Sequence, residues 1–165
     1  MQTIRLIYAS IAREDLSFAE LMQIRTQAKA FNVAHRISGM LCYGNGTFLQ
    51  LLEGKRKIVN EIYHRIVADP RHTRMELISC GPIHRREFTE WSMKMVSLEE
   101  PFSPQRRAIL SRYTDVPVFE PWMMTNKQAV GLLRDLAEAE RSTVASAQDR
   151  VFAEHVRLER DQPAA

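Results

Sequence analysis

The chain has 165 residues, of which 45% are hydrophobic and 26% charged, and a formal net charge of +3. These proportions describe a folded globular domain with room for a core and exclude a disordered or fibrous chain. The mild charge, with local pairs at Arg85-Arg86 and Arg106-Arg107 but no basic stripe interleaved with aromatics, argues against nucleic-acid binding. Five histidines without a compact ligand spacing, and only two distant cysteines, Cys42 and Cys80, argue against a metal site or a disulfide framework. Both cysteines sit in apolar runs and are expected to be buried thiols. No segment approaches the run of about 18–20 apolar residues that a membrane span requires, and the start has no basic region followed by an apolar stretch. A cytoplasmic protein that does not engage membranes is expected.

Residues 3–11 alternate, with Ile4, Leu6 and Tyr8 to one side and Arg5, Ile7 and Ala9 to the other, which predicts an interior strand. Ser17-Phe18-Ala19-Glu20 has the form of a capping box and opens a predicted helix over 18–31, whose Leu21, Ile24, Ala28 and Phe31 recur at helical spacing. Two apolar runs, 36–43 and 47–53, flank Gly44-Asn45-Gly46, a strong hairpin signal because both turn residues tolerate positive φ. A second helix is expected over 57–69, ending before Pro70, and two further strands over 75–82 and 92–97. The order βαββαββ predicts an α+β, ferredoxin-like sandwich: a mixed five-stranded sheet with two helices on one face and a ligand-sized cleft between them. Four prolines between residues 101 and 121 mark a connector with one short helix, over 105–113. The stretch 126–141 is then an amphipathic helix, with Ala129, Val130, Leu132, Leu133, Leu136 and Ala137 as its stripe and Thr125 or Asn126 as its cap. That stripe must be buried somewhere.

Certain polar residues do not suit the apolar faces on which they fall. Alternation in 47–53 puts Gln50 on the face of Phe48 and Leu52, and an unpaired buried amide costs about 1–3 kcal/mol. Tyr8 shares its face with Ile4 and Leu6, and its hydroxyl also needs a partner. If the first strand lies beside the second strand of the hairpin, Tyr8 and Gln50 satisfy one another. Each has an ordinary structural alternative, as a core tyrosine and as a glutamine bonded to its neighbours. Asn32, at the end of the first predicted helix, is either a left-handed cap or an inward-facing ligand contact. Arg65 and Asp69 fall on one face of the second helix, either as an exposed i,i+4 ion pair or as polar groups turned to the cleft.

The segments Leu6-Ile7-Tyr8-Ala9-Ser10, Asn32, Ile37-Ser38-Gly39-Met40-Leu41-Cys42-Tyr43, Gly46-Thr47-Phe48-Leu49-Gln50-Leu51-Leu52-Glu53-Gly54, Asp69-Pro70-Arg71-His72 and Arg85-Arg86-Glu87-Phe88-Thr89-Glu90-Trp91-Ser92-Met93 closely resemble the BLUF family, sensors of blue light using FAD. The match runs through about residues 3–97. The resemblance implies FAD held without a covalent bond between the two helices, with Asn32, Arg65 and Asp69 as polar contacts to the ring and Arg71 and His72 as further cofactor contacts. It implies that Tyr8 and Gln50 are the photoactive pair. The phenol gives up an electron and then a proton to the excited ring, and the amide is left rearranged with a red-shifted spectrum and no substrate consumed. Trp91 and Met93 match a Trp-x-Met motif implied to relay the signal.

On this basis residues 1–97 are expected to form the sensor, 98–125 a connector and 126–165 a C-terminal helical extension. The chain is expected not to be an enzyme and to signal through self-association or a separate effector, such as a cyclic-dinucleotide phosphodiesterase or a response regulator. Two other readings compete with this one. An acylphosphatase-like hydrolase would need a phosphate-cradling loop after the first strand, where the acidic, glycine-free 11–15 stands instead. A flavin-binding or adaptor module without photochemistry would keep the fold, but intact Tyr8 and Gln50 argue against it.

Overall fold

The computed structural model describes residues 2–89, 92–99, 103–116 and 118–160, with side chains described as far as residue 143. β1 (Thr3–Ala12) lies between two antiparallel neighbours, β3 (Thr47–Lys55) and β4 (His72–Pro82), as its two-sided apolar pattern requires. β2 (Ser38–Gly44) pairs antiparallel with β3, and the short β5 (Lys94–Ser97) pairs parallel with β2. The result is a mixed five-stranded sheet in the order β4-β1-β3-β2-β5. Asn45 and Gly46 both adopt positive φ, 50° and 64°, so the β2–β3 connection is the tight turn their identities specify.

α1 (Phe18–His35) opens on the expected capping box, with the Ser17 side chain accepting from the Glu20 N–H and Glu20 Oε2 accepting from the Ser17 N–H. It runs four residues past the predicted end. Asn32 is therefore inside the helix and is not its cap; Arg36 takes the left-handed position at φ 56°. α2 (Arg56–Val67) stops earlier than predicted and leaves Asp69 in the following turn. The stripe of α1, through Leu21 and Ile24, and that of α2, through Val59 and Ile62, pack on the sheet face formed by Ile4, Leu6, Tyr8, Leu41, Phe48 and Leu52.

The opposite face, formed by Ile7, Met40, Cys42, Leu49 and Leu51, is covered by α3 (Pro104–Leu110) and α4 (Asn126–Arg160). Thr125 and Gln128 cap α4 reciprocally, the Gln128 N–H donating to Thr125 Oγ1 and the Thr125 N–H to Gln128 Oε1. Val130, Leu133 and Leu136 are the buried stripe, so the reverse of the sheet is where that apolar face goes. Lys94 of β5 and Arg106 of α3 both pair with Glu140, at 3.2 and 2.6 Å, tying the edge of the sheet to α4. Cys42 is buried, but Cys80 is exposed: β4 is an edge strand, and Cys80 lies on it outside either core cluster. Among the described residues no helix is long and apolar enough to cross a membrane.

Candidate functional site

Tyr8 and Gln50 are direct cross-strand partners in the β1–β3 register, both on the face beneath α1 and α2. They are 1% and 3% exposed, and the Tyr8 hydroxyl donates to Gln50 Oε1. Burial, reinforced by Tyr63 and Asp69, pushes the Tyr8 phenol well above its ordinary value, so it keeps its proton. The other end of the amide is poorly served: among the described residues Gln50 Nε2 meets only the Met93 sulfur, 3.6 Å away and a weak acceptor. One end of the carboxamide is thus firmly held and the other loosely.

Above this pair a cavity of about 290 Å³ opens between α1 and α2. It lies at the lower edge of the roughly 300–1,000 Å³ usual for small-molecule sites. Ile24, Ala28, Ile62 and Ile66 form apolar walls, Tyr8, Leu41 and Gln50 the floor on the sheet, and Arg65, Asp69, Arg71 and His72 also line it. The structure thereby brings six of the sequence-predicted residues around one cavity. Asp69, freed from the helix, pairs with Arg71 at 2.5 Å instead of with Arg65, and this hydrogen-bonded pairing lowers the carboxyl below its usual range. Arg65 lies over the Phe31 ring, 4.8 Å from its centroid, and so bridges α2 to α1. His72 is buried against Phe48 and hydrogen-bonds through Nδ1 to Ser10 Oγ at 2.9 Å. Burial lowers its pKa to about 4, which leaves the imidazole neutral near pH 7.

Asn32 and Met93 do not line the cavity. Asn32 is fully buried, its Nδ2 donates to the Ser92 carbonyl at 2.5 Å, and its Oδ1 has no hydrogen-bond partner among the described residues. A buried acceptor left without a donor is costly, so this oxygen suits a ligand N–H. Met93 is 5% exposed and faces the sheet from the segment before β5, which begins two residues later than predicted. Trp91 lies outside the described residues.

Gln27 and Ser10 also serve the site, and a third polar residue, Glu53, is buried on the opposite face of the sheet. Gln27 lines the cavity and accepts from Arg71 Nη2 at 3.1 Å; nothing in its local pattern marks it. Ser10 could have been found, since alternation places it on the Tyr8 face. Glu53 could have been found by the argument that isolates Gln50, because it is a carboxylate on the apolar face of Leu49 and Leu51.

An apolar interhelical slot with a phenol–amide pair on its floor, together with a buried amide oxygen on α1 that has no partner among the described residues, defines a binding domain for a flat, hydrogen-bonding ring, and these residues fit a flavin. The family model for sensors of blue light using FAD matches residues 3–94. The chain belongs to this BLUF family: residues 3–94 form a blue-light sensor domain, and FAD is its cofactor. It is 30% identical over 122 residues to the photoactivated adenylate cyclase subunit beta of Euglena gracilis, a match covering 70% of this chain and 14% of that subunit. The fold matches the photo-activated state of BlsA with a TM-score of 0.73 and 27% identity, over 81% of this chain and 94% of that one. It matches the dark state of the BLUF protein BlrB with a TM-score of 0.67 and 28% identity, over 84% and 97% of the two chains.

Proposed function

We propose that Tyr8 and Gln50 are the photoactive pair, with Asn32, Arg65, Asp69, Arg71 and His72 holding the cofactor and Met93 next in line for the signal. The observation that carries this reading is the buried Tyr8–Gln50 hydrogen bond on the floor of the interhelical cavity. Bound FAD supplies a ring that becomes a strong oxidant when it absorbs blue light. Tyr8 holds its Oη proton in the dark, and its bond to Gln50 Oε1 gives that proton a direction in which to move. Gln50 has donor and acceptor ends of nearly the same shape, so turning or re-protonating the amide exchanges what it offers to Tyr8 and to its other neighbours. The poor Nε2–sulfur contact leaves little to hold it against that exchange.

The signal then leaves through the segment from Glu87 to Met93 and through α4. Arg134 of α4 donates from Nη2 to both carboxylate oxygens of Glu87 at 3.1 Å, while Met93 and Ser92 meet Gln50 and Asn32. In this reading residues 1–97 sense, 98–125 connect and 126–165 carry the output. The division is one of role, because α4 covers the sheet that holds the site. The output reaches a second copy of the chain or a separate effector. Photoactivated adenylate cyclase and the antirepressor BluF of Escherichia coli, both regulated systems by name, and BlrP1, whose structure holds cyclic diGMP, favour nucleotide-signalling and transcriptional partners. A cyclic-dinucleotide phosphodiesterase or a response regulator fits that range. The test is the visible spectrum of the purified protein in darkness and after blue illumination. A yellow protein with a reversible red shift is expected, and a yellow protein without one would reduce the chain to a flavin binder.

A further inference from the structure

Glu53 is fully buried at the end of β3, on the sheet face opposite the cavity, and takes no part in the photoactive pair. Its Oε1 accepts from Arg5 Nε and Nη2 at 2.9 and 2.7 Å. Its Oε2 accepts from the backbone N–H groups of Glu87 and Phe88 at 2.9 and 3.1 Å, with Ser38 Oγ further off at 3.5 Å. A buried carboxylate is stable only when its oxygens are paired in this way, and such charge-assisted bonds are about twice as strong as neutral ones.

The two N–H groups belong to the stretch between the end of β4 at Pro82 and the start of β5 at Lys94, whose described residues form no helix or strand. Its far end reaches the site, where the Ser92 carbonyl accepts from Asn32 and the Met93 sulfur accepts from Gln50 Nε2. Ser92 follows Phe88 by four positions, a reach of at most about 14 Å. The Phe88 ring is buried in the core beneath α4. Releasing the two N–H groups frees the near end of the segment whose far end touches Gln50.

We propose that Glu53 is a positioning residue of the light response: by holding the Glu87 and Phe88 N–H groups it fixes the segment that sets the Met93 sulfur against Gln50. The proposal rests on the Tyr8–Gln50 reading for its link to light, and on the hydrogen bonds of Glu53 for the rest.

The test compares the double variants Arg5→Leu/Glu53→Gln and Arg5→Leu/Glu53→Leu in the full chain. Both remove the buried charge pair, and they differ in whether an oxygen remains for the two N–H groups. In FAD-loaded protein the glutamine variant should recover in the dark within about twofold of wild type. The leucine variant should still bind FAD but change its recovery rate about tenfold, the factor that corresponds to about 1.4 kcal/mol. In flavin-free protein the methyl carbon resonance of Met93 should stay in place with glutamine and move or broaden with leucine. Equal recovery rates together with an unmoved Met93 resonance in both variants would overturn the proposal. Without any substitution, the Glu87 and Phe88 amide protons of wild-type protein should exchange more slowly than their neighbours in residues 83–93, and fast exchange at both would also overturn it. The flavin-free measurements need no light response. A wild-type protein lacking the red shift would therefore refute the photoactive pair while leaving the role of Glu53 to be decided by them.

Discussion

Side chains of β3 alternate between two environments that have been furnished differently. Leu49 and Leu51 point into a dry layer against Val130, Leu133 and Leu136, where hydrocarbon meets hydrocarbon and density is the only requirement. Phe48, Gln50 and Leu52 point toward α1 and α2, where the layer is interrupted by a cavity, a phenol, a carboxamide and an unpaired amide oxygen. The dry face secures the fold, and its buried carboxylate, Glu53, has partners for both oxygens within the protein. The furnished face leaves stability unrealised so that polar groups are available to a ring. The difference teaches where to look for function in such a sheet: on the face whose polar groups are not satisfied by the protein alone.

The comparison breaks most completely at Gln50. Gln50→Leu should abolish the light-induced red shift while the protein stays folded and yellow, because the leucine fills the same space without a group to re-pair; difference spectroscopy under blue light decides it. Leu133→Ala on the dry face should do the reverse. It should lower unfolding free energy by about 2–5 kcal/mol in denaturant titration and leave the amplitude of the red shift unchanged in the folded fraction.

A smaller effect separates the faces by pH. His72 is held neutral with a pKa near 4, below its ordinary 6.5, so the unfolded chain binds the proton first as pH falls. The flavin-free protein should therefore lose stability from about pH 6.5 down to about pH 4 and no further on this account. The loss is at most about 3 kcal/mol at roughly 1.4 kcal/mol per unit, and His72→Gln should flatten that slope. The smallest effect is expected at the half-exposed cluster joining β5 to α3 and α4. Glu140→Gln should cost about 1 kcal/mol or less, because exposed ion pairs are screened, and should leave the absorption spectrum unaltered.

Much of this is legible in the sequence. Asn45-Gly46 specifies its turn by backbone preference alone, and Ser17 and Glu20 specify theirs by local hydrogen bonding, so both were readable from a few adjacent residues. The end of α1 was not, because Arg36 takes a left-handed conformation that glycine or asparagine ordinarily signals. With the helix taken to end at Phe31, Asn32 offers both a cap and an inward-facing contact, and the longer α1 removes the cap. Arg65 and Asp69 share a helical spacing, yet Asp69 lies beyond α2 and prefers Arg71; which partner a carboxylate takes depends on where the helix ends. Gln27 and Cys80 show the same limit, since burial and neighbours at those positions come from elements distant in sequence.

By itself the sequence determined the strands, the helices, the hairpin register and the fact that a phenol and an amide had been placed where hydrocarbon was expected. These follow from period and local chemistry, which act over a few residues. Tertiary structure alone decided that the amide is held at one end and loose at the other, that Asn32 keeps an unpaired oxygen, and that α4 covers the reverse of the sheet. It also decided that a buried Glu53 grips the segment leading to Met93. Each of these depends on which groups remain to satisfy a buried atom once the layers have closed, and that is settled only when segments far apart in the chain are brought together.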